Sequence, residues 1–211
     1  MNEKSLSFFE EMSNDEKCNQ NSLKLAKNSD FTTYDVEFIM RYANNTTNIL
    51  DLGSGTGLIV NKIYDKVGRI CCVDPIVKFT NYIMQSDNIE VVNKNMFRFS
   101  TKEKFDIISM FGIMHYLDEN EAKCVYEKFY NNLNVGGCYI IKNQFGKCED
   151  VIINGYSDEL GKDYYANYRY IKKEVSILED VGFTKVEVFD IYPKECNRWD
   201  NTHFYAIVAK K

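Results

Sequence analysis

Asp51-Leu52-Gly53-Ser54-Gly55-Thr56-Gly57 stands between the apolar run 48–52 and a segment of helical periodicity, residues 58–65. A glycine-rich turn from a buried strand into a helix is where open α/β sheets bind ligands, because glycine reaches positive φ and lets backbone approach without a Cβ. The dinucleotide fingerprint G-x-G-x-x-G would need glycine at position 58, where Leu58 stands, and a pyrophosphate would meet the carboxylate of Asp51. A ligand bearing an ammonium group meets no such repulsion. Asp74 ends the next apolar run, 21 positions after Gly53, where a carboxylate can accept hydrogen bonds from both hydroxyls of a ribose.

Working outward, residues 48–52, 69–73, 89–92, 105–110 and 138–141 are apolar runs of strand length. Helical patterns lie between most of them: 58–65, 76–85 behind Pro75, and 119–133 behind the N-cap candidate Asp118. Thr32-Thr-Tyr-Asp35 reads as a capping box, with Asp in place of Glu, opening a helix to about Ala43. This βαβ series predicts an α/β fold with a parallel sheet. After a helix over 171–180, stopped by Gly182, strands 183–191 and 203–209 follow without an intervening helix and must pair antiparallel. Residues 1–31 are polar with scattered anchors (Leu6, Phe8, Phe9, Leu23, Leu25) and suggest a short helical lid or cap on a domain spanning 32–211.

With 211 residues, 45% hydrophobic and 14% aromatic, the chain can bury one core without disulfides or a structural metal. A net charge of -5 argues against a nucleic-acid partner, which needs clustered Lys and Arg. The seven cysteines are odd in number and none shows C-x-x-C spacing, so they read as reduced thiols, with no metal site. The first residues lack a signal-peptide core and no window is long enough to span a bilayer, so no membrane partner and a cytoplasmic location are expected. Two prolines among many Asn, Lys, Ile and Tyr suggest an AT-rich bacterial genome.

Asp51 to Gly57 matches the pattern [DE]-x-G-x-G-x-G, and the element order resembles the class I S-adenosylmethionine-dependent methyltransferases over residues 32–211. The resemblance implies a Rossmann-like, seven-stranded, mostly parallel sheet with a C-terminal antiparallel hairpin and helices on both faces. It implies S-adenosylmethionine as cofactor, with Asp51, Gly53, Ser54, Gly55 and Gly57 at its methionyl end and Asp74 and Pro75 at its ribose. Asn95 and Met96 would lie near the adenine, where the family often has an acidic residue, and Met110 and Phe111 would close the fourth strand beside the sulfonium.

The fourth strand lacks the [DNS]-P-P-[YFW] ending of adenine-N6 methyltransferases. Residues 105–117 and Leu133-Asn-Val-Gly-Gly137 instead resemble the small-molecule branch, which includes sugar, natural-product and surface-polysaccharide methyltransferases. His115 and His203, the two histidines of the chain, fall at the catalytic edge and are candidate bases for an alcohol acceptor. Asn143, Tyr165, Tyr168, Arg169, Arg198 and Trp199 are the candidate acceptor contacts, and Arg169 with Lys142 suggests a polar or anionic acceptor such as a sugar. An ionised acceptor would need no base, and the sequence leaves that choice open. Small-amine N-methylation, a nicotinamide oxidoreductase and a non-catalytic partner subunit are the alternatives. Asp51 and Leu58 speak against the second, and an intact loop and ribose acid against the third.

Overall fold

In the computed structural model, which describes residues 3–14, 31–158, 161–193 and 199–211, apolar side chains alternate along each central strand and split the interior into two layers. Strands β1 (Asn48–Leu52), β2 (Arg69–Val73), β3 (Ile89–Val92), β4 (Phe105–Phe111) and β5 (Leu133–Gly146) are joined at one end by β8 (Lys185–Phe189) and β9 (Thr202–Lys210). The order is β3-β2-β1-β4-β5-β9-β8. Pairs among the first five are parallel, and β9 runs antiparallel to both β5 and β8. The expected seven-stranded, mostly parallel sheet is therefore present. Leu50, Leu52, Cys71, Val73, Tyr139 and Ile141 face one layer with helices α5 (Glu119–Tyr130) and α6 (Ile171–Val181). Ile49, Ile70, Cys72 and Ile140 face the other with α2 (Thr32–Ile39) and α3 (Val60–Ile63).

Several expected elements change length for identifiable reasons. The helix after the glycine loop is only α3 and a 3-10 turn, Tyr64–Lys66, and the one behind Pro75 is only α4 (Val77–Thr80). Beyond Thr80 the side chain of Asn61 captures the chain, donating to Tyr82 O at 2.9 Å and accepting from Met84 N at 2.8 Å, which replaces further helical turns. The capping box at Thr32 does not form: α2 has no side-chain cap bond, and Asp35 instead accepts from Tyr192 Oη at 2.9 Å and pairs with Lys142 at 3.2 Å. At α5 the cap forms in full, with Glu121 N donating to Asp118 Oδ1 (2.8 Å) and Asp118 N donating to Glu121 Oε2 (3.0 Å).

The tyrosine-rich stretch after β5 is a separate antiparallel pair, β6 (Val151–Ser157) and β7 (Lys162–Tyr168). Helix α1 (Glu3–Met12) packs Phe8 against its inner face, in a cluster with Tyr116, Tyr164, Ala166 and Tyr168, while the anchors Leu23 and Leu25 lie outside the described residues. Just beyond β7, the buried guanidinium of Arg169 donates from Nε to Glu174 Oε2 (2.5 Å), from Nη2 to Glu174 Oε1 (3.0 Å) and from Nη1 to Leu117 O (2.6 Å). Tyr126 Oη also donates to Glu174, so this acid ties the hairpin exit, α5 and α6 together. Among the described residues no helix is long and apolar enough to cross a membrane.

Removing Glu174 leaves a buried, unpaired guanidinium. Glu174→Ala is expected to cost about 3–5 kcal/mol in urea unfolding, against about 1 kcal/mol for loss of the cap in Asp118→Ala.

Candidate active site

Parallel pairing of β1 with β4 sets Asp51 beside Ser109, whose Oγ donates to Asp51 Oδ1 at 2.6 Å. Burial pushes the Asp51 carboxyl up to about 6, and the nearby Asp74 charge adds to that, while the Ser109 hydrogen bond opposes both. Asp74, at the end of β2, accepts from Gly55 N (3.0 Å) and Ile76 N (2.9 Å). Burial raises its carboxyl, and these two backbone bonds hold it down. One carboxylate thus shapes the glycine loop while the other lies beneath it.

The loop glycines have distinct tasks. Gly53 has φ +75°, and a Cβ there would lie 2.4 Å from Ile113 Cγ2, so packing against the segment after β4 requires a glycine. Gly55, at φ +52°, borders open space: a methyl in place of its hydrogen would meet nothing within 4 Å. Gly57, also at positive φ, turns the chain toward α3. Ser54 Oγ is buried with no hydrogen-bond partner.

The remaining expected cofactor positions divide. Pro75 and Asn95 are half-buried at the ends of β2 and β3, and Asn95 Oδ1 already accepts from Phe97 N at 3.0 Å. The side chains of Met96 and Met110 lie in the core layer with α5, which corrects the expected contact of the Met110 thioether with the sulfonium and turns the Met96 side chain inward from the expected adenine position. Phe111 lies on the opposite face, its ring 5.8 Å from Lys142 Nζ.

On the acceptor side, His115 sits in a 3-10 turn, Met114–Tyr116, between β4 and α5. Its Nδ1 lies 3.1 Å from Asn143 Oδ1, and its ring is 4.1 Å from Tyr116 and 5.6 Å from Tyr168. The structure therefore brings His115, Asn143 and Tyr168 together, with Tyr165 half-buried on β7. His203, opposite Phe145 on β5, has Nε2 2.9 Å from Asp190 Oδ1 without hydrogen-bond geometry, and its ring centroid is 4.4 Å from that of Tyr205. Trp199 is exposed ahead of β9, and Arg198 lies outside the described residues.

Two expected anion contacts are corrected. Arg169 is neutralised by Glu174 inside the protein. Lys142 is buried against Asp35 and Tyr192; burial alone would lower its ammonium, and those two partners raise it. Neither charge is presented to a ligand. Ser109 and Ile113 escape sequence reasoning, and Phe8 and Phe9 are legible there only as anchors of a lid. Only Ser109 carried a signal, as a lone hydroxyl in an apolar strand at the register position of Asp51.

Residues 49–137 match the family model described as a methyltransferase domain. This stretch is a methyltransferase domain. No curated protein matches the sequence. Among solved structures, DhpI in its SAM–HEP complex superposes with a TM-score of 0.72 at 13% identity, covering 99% of this chain and 97% of that one. The N-methyltransferase NodS from Bradyrhizobium japonicum WM9, in complex with S-adenosylhomocysteine, gives 0.66 at 16% identity, covering 99% of both. The 1,6-didemethyltoxoflavin-N1-methyltransferase of Burkholderia thailandensis gives 0.68 at 12%, covering 99% and 86%. These likenesses establish the Rossmann-like class I methyltransferase fold.

The methyltransferase domain fits S-adenosylmethionine on its own geometry. A buried carboxylate with a raised pKa suits an ammonium, Asp74 suits ribose hydroxyls, and Ser54 Oγ lacks a partner.

Because Asp51 is raised from 3.8 to about 6, its ionisation on folding is a cost that is absent at low pH and fully present above about 6. The ligand-free protein should lose up to about 3 kcal/mol from this group across that window, at about 1.4 kcal/mol per pH unit. Conversely, the thermal shift given by S-adenosylhomocysteine should grow as pH rises through 6. Asp51→Asn should stabilise the ligand-free protein at neutral pH and remove that growth, whereas a shift independent of pH would refute the pairing. Asp74→Ala should weaken S-adenosylhomocysteine binding at every pH in calorimetry.

Proposed function

We propose that the chain methylates a hydroxyl oxygen of a small polar metabolite, such as a sugar or a nucleotide-linked polysaccharide precursor, using S-adenosylmethionine. The observation that carries this reading is His115, gripped by Asn143 and faced by Tyr116 and Tyr168, on the same sheet edge as Asp51 and Asp74. When bound, S-adenosylmethionine would supply an electrophilic methyl on its sulfonium sulfur, with neutral S-adenosylhomocysteine as the leaving group.

The chain's own residues supply the rest. Asp51 pairs with the ammonium and Asp74 accepts from the ribose. His115 takes the hydroxyl proton as oxygen attacks. The aromatic wall excludes water, and holding the acceptor in line provides most of the acceleration. With Lys142 and Arg169 neutralised internally, neither is offered to an ionised group at the methylated position, which supports a neutral hydroxyl as the group that accepts the methyl.

Helix α1 acts as a cap in this reading. Phe8 packs on Tyr164 (5.5 Å between ring centroids), Phe9 on Tyr116 (4.9 Å) and on Phe79 after the ribose acid (6.4 Å), and Glu11 pairs with Lys162. It bridges the acceptor hairpin and the cofactor side. Methylation of a small amine is the second reading, favoured by the two N-methyltransferases among the structural neighbours. Asp51 and Leu58 continue to disfavour a nicotinamide cofactor. The buried, unpaired thiols of Cys71, Cys72 and Cys138, together with the amino-acid composition, support a bacterial cytoplasmic enzyme.

S-adenosylhomocysteine at about a hundred times its Kd should stabilise the protein by about 3 kcal/mol in thermal-shift experiments, and NAD should not. No shift with S-adenosylhomocysteine sinks the reading. Among hydroxylated and amine acceptors screened for S-adenosylhomocysteine release, an alcohol should score, and His115→Ala should lower its turnover at least tenfold without weakening cofactor binding.

A further inference from the structure

We infer that Asn143 is a positioning residue that sets the tautomer of His115, holding the proton on Nδ1 so that Nε2 is the basic nitrogen for a hydroxyl acceptor. This rests on the reading of His115 as the base.

Asn143 lies near the C-terminal end of β5, opposite Tyr205 on β9, and is 1% exposed. Its Oδ1 is a pure acceptor, so the 3.1 Å contact requires His115 Nδ1–H to donate. A neutral imidazole carries one N–H, which leaves the Nε2 lone pair as the site of protonation. The ring is flanked by Tyr116 and Tyr168, at 4.1 and 5.6 Å between centroids, and the backbone two residues on is held where Arg169 Nη1 donates to the Leu117 carbonyl at 2.6 Å. One residue beyond Leu117, the Asp118 cap fixes the start of α5.

The amide is retained at a cost. Asn143 Nδ2 is buried with no hydrogen-bond partner, between the buried polar residues Lys142, paired with Asp35, and Gln144, whose Nε2 donates to Thr202 Oγ1 at 2.7 Å. A branched apolar residue would fill that position without orphaning a donor, so stability alone does not account for asparagine. Acceptance of Nδ1–H does, since the same carbonyl also stabilises the imidazolium formed when Nε2 receives the acceptor's proton.

With two histidines in the chain, long-range proton–nitrogen spectra resolve each ring directly, and His203→Gln assigns them. Spectra of the full chain saturated with S-adenosylhomocysteine, in alkaline buffer where imidazole is neutral, should show His115 protonated at Nδ1. Asn143→Ala should shift it toward Nε2–H, and Asn143→Asp, which keeps the acceptor, should restore Nδ1–H. The S-adenosylhomocysteine thermal shift should be retained in both variants. With a working alcohol acceptor, Asn143→Ala should lower kcat at least tenfold, and Asn143→Asp should recover most of that loss.

An Nε2–H tautomer in the unsubstituted protein, or an unchanged tautomer in Asn143→Ala, overturns the inference. Full turnover in His115→Ala overturns the base reading instead, and the spectra still decide the tautomer independently.

Discussion

Two carboxylates stand at the ends of β1 and β2, and both are buried. Asp51 has a single side-chain donor, Ser109, and is raised to about 6, whereas Asp74 is held by two backbone amides. A protein does not keep such a pair beneath open glycine backbone for its own stability, because charge buried with few partners is costly. The arrangement becomes favourable when a cation arrives, and the sheet, its parallel register and the positive-φ loop are what hold it ready.

The acceptor side is built on a different principle. Its charges are satisfied internally: Arg169 by Glu174 and Lys142 by Asp35. What faces His115 is aromatic and amide surface, supplied by three separate segments: the turn after β4, the end of β5 and the β6–β7 hairpin. The buried ion pairs serve to bring these segments together. Arg169 reaches from the hairpin exit to the Leu117 carbonyl, two residues past His115. Lys142 lies next to Asn143 in β5 and ties that strand to α2. These two ion pairs therefore hold the segments around His115 in place.

The methyltransferase fold itself follows from a hydrophobic pattern that local sequence expresses well. Five apolar strands that pair in parallel and a final antiparallel pair appear as the periodicity implied, while the order of the strands in the sheet was not legible from it. The departures arise where a side chain found a better partner at long range. Asn61 ended a helix from across the loop, and Asp35 left its cap for Lys142 and Tyr192.

The sequence by itself determined the glycine loop, the carboxylates Asp51 and Asp74, and the cap at Asp118. Each depends on residues within a few positions or on a strand-to-loop boundary that composition marks. Only the tertiary structure decided that Ser109 underlies Asp51, that Gly53 is packed against Ile113 while Gly55 borders open space, that Arg169 and Lys142 face inward, and that Asn143 holds His115. These depend on strand register and on contacts between residues far apart in the chain, which no local pattern encodes. A guanidinium that binds a ligand and one that binds a glutamate read identically until the chain is folded around them.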